Sequence, residues 1–256
     1  FGVRTASVAL SGSGGATTVD VALTGTGIPA DALTTGQSAG VIVGQLDADD
    51  QNNTASQIIT PGANGSAVSS GGKLAVADST SNRILIWNTV PVASGTPADL
   101  VLGQANFTDT SANRGGAVAS NTLSFPRSVA WGGANLWVAD QNNNRVLRYT
   151  NPVSNGQAAS LVIGQTNFTN GTGRSAATFG TQALNTPTQV RVKGTKLFIV
   201  DKDDNRVLIY NTIPTASNPA ASVVVGQSTT TGSSSGTTST TLSGPTGVDV
   251  TSTGRL

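Results

Sequence analysis

The 256-residue sequence contains no cysteine and no histidine. Without cysteine there is no disulfide framework, no thiolate metal site and no thiol nucleophile. Without histidine the commonest general base and the commonest transition-metal ligand are both missing. Charge is scarce as well: Asp, Glu, Lys and Arg make up 11% of the chain and the formal net charge is +1. The 14 Lys and Arg residues are scattered, so no basic face is concentrated enough for a nucleic-acid partner. No run of about 18 apolar residues occurs, which excludes a spanning helix. The opening Phe1-Gly-Val-Arg4 lacks the charged and apolar regions of a signal peptide and reads as internal to a longer precursor.

A hydrophobic content of 37% suffices for one large β domain or two small ones. Glycine, serine, threonine and asparagine are abundant, which suits turn-rich β structure. That bias, with so few charges, is the composition of bacterial surface and secreted proteins, so a secreted or cell-surface location is expected.

One stretch is written three times. It reads Lys73-Leu-Ala-Val-Ala-Asp-Ser-Thr-Ser-Asn-Arg-Ile-Leu-Ile-Trp87, then Asn135-Leu-Trp-Val-Ala-Asp-Gln-Asn-Asn-Asn-Arg-Val-Leu-Arg-Tyr149, then Lys196-Leu-Phe-Ile-Val-Asp-Lys-Asp-Asp-Asn-Arg-Val-Leu-Ile-Tyr210. Each copy is a short apolar run, an Asp, three polar residues, Asn-Arg, and a second apolar run ending in an aromatic. This is the signature of strand, tight turn and strand in a repeat protein. Two further markers keep the same beat of about sixty residues. A Gly-Gln pair has its glycine at Gly44, Gly103, Gly164 and Gly226, and a proline recurs at Pro61, Pro126, Pro187 and Pro245 with Ile or Leu three residues before it.

Each period holds four strand candidates; in the middle copy they are 127–131, 135–140, 145–150 and 160–165. Four antiparallel strands per unit, repeated without helical periodicity, predict an all-β fold, a β-propeller of four-stranded blades. Three units are complete. An orphan outer strand is expected at 40–45 and the beginning of another unit at Pro245; the two could join in a composite fourth blade lacking one strand, but the expectation is that the unit runs on beyond Leu256. The motif Leu-Trp-Val-Ala-Asp-x3-Asn-Arg-Val-Leu-x-Tyr resembles the NHL repeat, a propeller blade unit, and the resemblance covers residues 36–256. This version inserts about 16–22 residues between the Gly-Gln strand end and the next proline. Such loops are expected on one rim, where repeat proteins place binding surfaces.

Residues 1–27 stand outside the repeat. Apolar residues alternate on both sides of Ser11-Gly-Ser-Gly-Gly15, as in a β-hairpin. The closing Leu23-Thr-Gly-Thr-Gly27 resembles the last strand of the immunoglobulin-like choice-of-anchor D domains. Residues 28–35 are read as a linker.

Candidate sites follow from the repeat. The turns Asp78/Asn82/Arg83, Asp140/Asn144/Arg145 and Asp201/Asn205/Arg206 are expected to be structural: Asp accepts turn amides, Asn tolerates the left-handed conformation, and Arg reaches the carboxylate or the adjacent blade. An active site needs only one copy, so threefold repetition argues against chemistry there. Asn106-Phe107 and Asn167-Phe168 occupy equal places in the long loops, either as contacts for a protein or glycan or as anchors tucking the loop between blades. Asp47, Asp49 and Asp50 gather oxygen ligands of the kind calcium prefers, as do Asp201 to Asn205, although neither stretch has the layout of an EF-hand loop. Calcium is the only cofactor with any such signal. Trp87, Tyr149 and Tyr210 share one position and are expected to pack, as are Trp131 and Trp137.

The function expected from these residues is a non-catalytic extracellular scaffold or binding module, with a protein or glycan partner at the rim. Open strand edges also permit self-association, as in a filament subunit. The alternative is an enzyme: some propellers resembling this one are lyases or lactonases. The histidine-dependent version is excluded, and a calcium-dependent hydrolase or lyase would need central acidic residues, for which Asp249 is the candidate.

Overall fold

The computed structural model describes residues 6–10, 19–23, 41–44, 59, 63–173 and 182–251. The described residues form an all-β structure whose repeated unit is a four-stranded antiparallel sheet, found three times. The N-terminal stretch supplies a separate two-stranded pair, β1 (Ala6–Leu10) with β2 (Val19–Leu23), in the register Val8 opposite Val21.

The first full sheet is β3 (Gly65–Val68), β4 (Leu74–Asp78), β5 (Arg83–Trp87) and β6 (Leu100–Leu102). The second is β7 (Pro126–Gly132), β8 (Asn135–Asp140), β9 (Arg145–Tyr149) and β10 (Leu161–Ile163). The third is β11 (Pro187–Lys193), β12 (Lys196–Asp201), β13 (Arg206–Tyr210) and β14 (Val223–Val225). In each sheet the strands follow one another as a meander, in spatial order equal to chain order. Short turns set this order. Gly132 pairs with Asn135 across Gly133-Ala134, and Gly133 takes a φ of 62° that glycine adopts at little cost.

Both faces of the sheets are apolar, and strand alternation deals the side chains to two different seams. In β4, Ala75 and Ala77 join one core cluster while Leu74 and Val76 join another. The first cluster lies between the first and second sheets, where Ile84 and Ile86 meet Leu136, Val138 and Leu147. The next lies between the second and third sheets, where Trp137, Val146 and Ile163 meet Leu197, Ile199 and Leu208. Burying a Leu or Ile side chain contributes about 1.5–3 kcal/mol, so every sheet depends on its neighbours for much of its stability.

The first strands of successive sheets come close together. A Cβ added to Gly65 of β3 would lie 2.8 Å from the Cα of Ser128 in β7. The Ser128 hydroxyl in turn accepts from the Val190 amide and donates to the Val190 carbonyl in β11, both at 3.3 Å. These contacts align the three sheets by their leading strands.

Among the described residues, the strand expected at 40–45 and the start of the unit expected from Pro245 do not form ladders. Residues 41–44 and 245–251 are irregular, because a β ladder needs a partner and the described residues supply none for either segment. The segment after Pro245 nonetheless runs along β11: the Val248 amide donates to Gln189 Oε1, and Val250 is buried. Trp87, Trp137, Tyr149 and Tyr210 are buried as expected, whereas Trp131 is only half-buried and donates its indole N–H to the Ala67 carbonyl at 3.1 Å.

Candidate functional site

The repeated Asp-x3-Asn-Arg turns sit where the second strand of each sheet passes to the third, and each holds a long loop in place. The Arg is the centre of the fastening. Arg83, Arg145 and Arg206 are buried, and their Nε atoms donate to Asp78, Asp140 and Asp201 at 2.8, 2.7 and 2.7 Å. The outer nitrogens reach into the loops: Nη1 donates to the carbonyls of Phe107, Phe168 and Thr230 respectively. Arg145 Nη2 also holds the carbonyls of Ala119 and Thr122, at 3.0 and 2.9 Å. A planar, permanently charged fork can gather a carboxylate and several carbonyls at once, which a lysine cannot.

The Asn before each Arg completes the fastening. Asn82, Asn144 and Asn205 have φ of 52°, 50° and 51°, a left-handed conformation that Asn tolerates better than other side-chain-bearing residues. Their Oδ1 atoms accept from the amides of Phe125, Thr186 and Gly244, and their Nδ2 atoms donate to the carbonyls of Thr110, Gly171 and Ser233. Each Asn therefore grips its loop at two points, one near the outgoing end and one near the return.

A third repeated side chain was not assigned a role from the sequence. Gln104, Gln165 and Gln227, the second residues of the Gly-Gln pairs, donate Nε2 to the carbonyls of Asn82, Asn144 and Asn205 and to loop carbonyls of Ser111, Thr172 and Ser234. The signal was present in the repetition of Gln itself, which pure strand periodicity does not require. The preceding glycines have φ of 86°, 91° and 91°, and an added Cβ would meet Leu123, Leu184 and Leu242 at 2.6 Å.

The loop candidates divide between interior and surface. Phe107 and Phe168 are half-buried and pack against core clusters, so their rings anchor the loops inward. Asn106 and Asn167 are exposed, and each Oδ1 accepts from the amide and hydroxyl of the residue two ahead, Thr108 or Thr169. These Asx turns shape the exposed loop tips. At the opposite end of the sheets, Ser69, Lys73, Trp131 and Asn151 line a shallow cavity of about 220 Å³.

Among the described residues the acidic candidates do not converge on one site. Asp47, Asp49 and Asp50 lie outside the described residues. In the third turn Asp203 is taken by Thr186 and Lys202, and Asp201 and Asp204 both face Arg206. No group of three or more metal-ligating His, Cys, Asp or Glu side chains is found among the described residues. Asp249 is 81% exposed and pairs with Arg191 at 2.7 Å.

Burial dominates the electrostatics of the turns. It raises the Asp140 carboxyl, against the opposing pull of Arg145 and of donors from Ser124 and Asn143. Burial pushes Asp201 up to about 7, with the charge of Asp204 adding to the shift and Arg206 opposing it. The Tyr149 and Tyr210 hydroxyls are held far above the usual phenol range by burial and by the neighbouring Asp140 and Asp201 carboxylates.

No family model and no curated protein matches the chain. Solved structures do resemble it. Hydrazine synthase of Kuenenia stuttgartiensis aligns over 80% of this chain and 42% of its own, at 10% identity and a TM-score of 0.46. A nidogen/laminin complex aligns over 58% of this chain and 43% of its own, at 15% identity and a TM-score of 0.31. Virginiamycin B lyase from Staphylococcus aureus aligns over 63% of this chain and 54% of its own, at 13% identity and a TM-score of 0.30. The chain thus spans about half or less of the structures it matches. They correct the expectation of a chain without catalysis: a synthase and a lyase stand among them. The likeness reaches no further than the all-β scaffold.

Proposed function

We propose that the three sheets are consecutive blades of an NHL-type β-propeller, and that its long-loop rim is a binding surface for a protein or glycan partner on a secreted or cell-surface bacterial protein. The hairpin of β1 and β2 is assigned in this reading to the end of an immunoglobulin-like domain. The sheet order, the two apolar faces of each sheet and the close approach of the leading strands support the propeller. One observation carries the rim assignment: an Asp–Arg pair, an Asn and a Gln are spent in every unit on holding one long polar loop at the same end of the sheet. A loop needed only as a connection could be a few residues long.

The test is an array of defined glycans and extracellular-matrix proteins, probed with the parent chain and with the loop-tip variant Thr108→Arg/Thr169→Arg. The expected outcome is a discrete set of ligands whose binding the variant lowers at least tenfold. Lys73→Ala, at the cavity on the other end, leaves that binding unchanged. Loss of binding on Lys73→Ala with none on the loop-tip variant would move the site to the opposite end and defeat the proposal.

A further inference from the structure

A latch between neighbouring sheets recurs along the chain, and one copy of it is open. The central residue of each outer strand is opposite the same position of the third strand: Val101 opposite Leu85, Val162 opposite Leu147, Val224 opposite Leu208. In the first two, its amide and carbonyl point away from the sheet and are met by a turn of the following sheet. Val101 donates to Asn155 Oδ1 at 3.0 Å and accepts from the Gly156 amide at 2.8 Å. Val162 donates to Ser217 Oγ at 3.2 Å and accepts from the Asn218 amide at 2.8 Å. Ile42, one period earlier, meets Ser94 Oγ at 2.9 Å and the Gly95 amide at 3.4 Å in the same way. The turn is thus a Ser or Asn acceptor followed by a Gly or Asn donor, and the donors share positive φ: 71° at Gly95, 62° at Gly156 and 52° at Asn218.

Among the described residues no such turn reaches Val224. The burial of the outer strands agrees. All three residues of β10 are buried beneath the next sheet, whereas Val223, at the position of Leu161, is 44% exposed, and Val224 and Val225 are half-buried. We infer that the β14 edge is a docking site for a polypeptide turn of this chemistry, a Ser/Asn acceptor followed by a positive-φ Gly/Asn donor, borne by a further four-stranded unit. Continuity with two internal interfaces of identical design identifies the occupant. A glycan or metal lacks the paired acceptor and donor at peptide spacing, and an extended strand would present its own amides at every second residue rather than a single side-chain acceptor. The inference concerns the sheet edge and is independent of the rim assignment.

Amide hydrogen exchange and NMR on the full chain test it. In dilute solution the Val224 amide is expected to exchange at least about tenfold faster, relative to its intrinsic rate, than those of Val101 and Val162, because it lacks the latch. A synthetic peptide of residues 151–161, which carries the Asn155-Gly156 turn, is expected to slow Val224 exchange and shift the resonances of Val223 to Val225. The same peptide with Asn155→Ala and Gly156→Pro, lacking acceptor and donor, is expected to do neither. Protection of Val224 that grows with protein concentration would identify a second copy of the chain as the bearer of the turn. Val224 protection equal to that of Val162 in dilute solution, or equal responses to the two peptides, overturns the inference.

Discussion

At the residue scale, each repeated turn sets an Asp–Arg pair in the interior. Arg145 and Asp140 are both fully buried, and the pair is closed by further donors and acceptors from the loop. A buried pair of this kind is not strongly stabilising against an apolar replacement, but breaking it by removing one partner leaves a charge without compensation. Arg145→Leu is therefore expected to cost about 3–5 kcal/mol in urea denaturation, and Asp140→Leu/Arg145→Leu to cost less than the single change. The third turn differs by one atom type with a large consequence. Asn143 Nδ2 donates to Asp140 at 2.8 Å, while the equivalent Asp204 sets a second carboxylate beside Asp201. With its folded pKa raised to about 7, Asp201 keeps a proton that the unfolded chain has lost above the ordinary value of 3.8. The folded state then binds the extra proton, so this group's contribution to stability falls as pH rises from about 4 to 7 and is constant above. Asp204→Asn removes the like charge and restores the donor. Urea midpoints at pH 5 and pH 8 should show a smaller loss across that interval for the variant, and a more stable variant at pH 8; an unchanged slope would refute the account. The sequence made the Asp–Arg pairing legible through threefold repetition. It did not disclose which carbonyls the Arg would gather, because those depend on the path of loops with no periodic pattern.

At the element scale, alternation made the strands legible almost to the residue, since a strand buried on both faces must still deal neighbouring side chains to opposite seams. Residues 41–44 and 245–251 carry the same local pattern and are not strands, because pattern fixes the facing of side chains while a ladder needs a partner. The latch turns were missed for a related reason: a Ser or Asn followed by Gly or Asn reads as an ordinary loop until the edge it meets is seen. The Gly-Gln glycines mark where outer strand becomes loop, and one of them can be compared with a glycine of the β7–β8 turn. Gly164 has φ of 91°, and an added Cβ would lie 2.6 Å from Leu184; Gly133 has φ of 62° and nothing within 4 Å. Gly164→Ala meets both backbone strain and a buried clash and should cost about 2–4 kcal/mol. Gly133→Ala meets strain alone and should cost about 1 kcal/mol. Thermal melts of the two variants check the order, and a larger loss at Gly133 would contradict it.

For the whole molecule, the apolar seams imply that stability is shared between neighbours and fades with distance along the row of sheets, as in other repeat proteins. β8 makes this testable within one strand, because its successive residues serve different seams. Leu136 belongs to the cluster shared with the first sheet, and Trp137 to the cluster shared with the third. Leu136→Ala should cost about 2–5 kcal/mol, and the loss should not be uniform. Exchange of the buried amides of β5 and β9 is expected to accelerate strongly, with that of β13 much less affected, since its cluster keeps every side chain. Trp137→Leu should reverse the pattern, exposing β9 and β13 while sparing β5. Equal acceleration across all three sheets in both variants would mean that the described chain opens as one cooperative body. The independence of the two seams would then have to be abandoned.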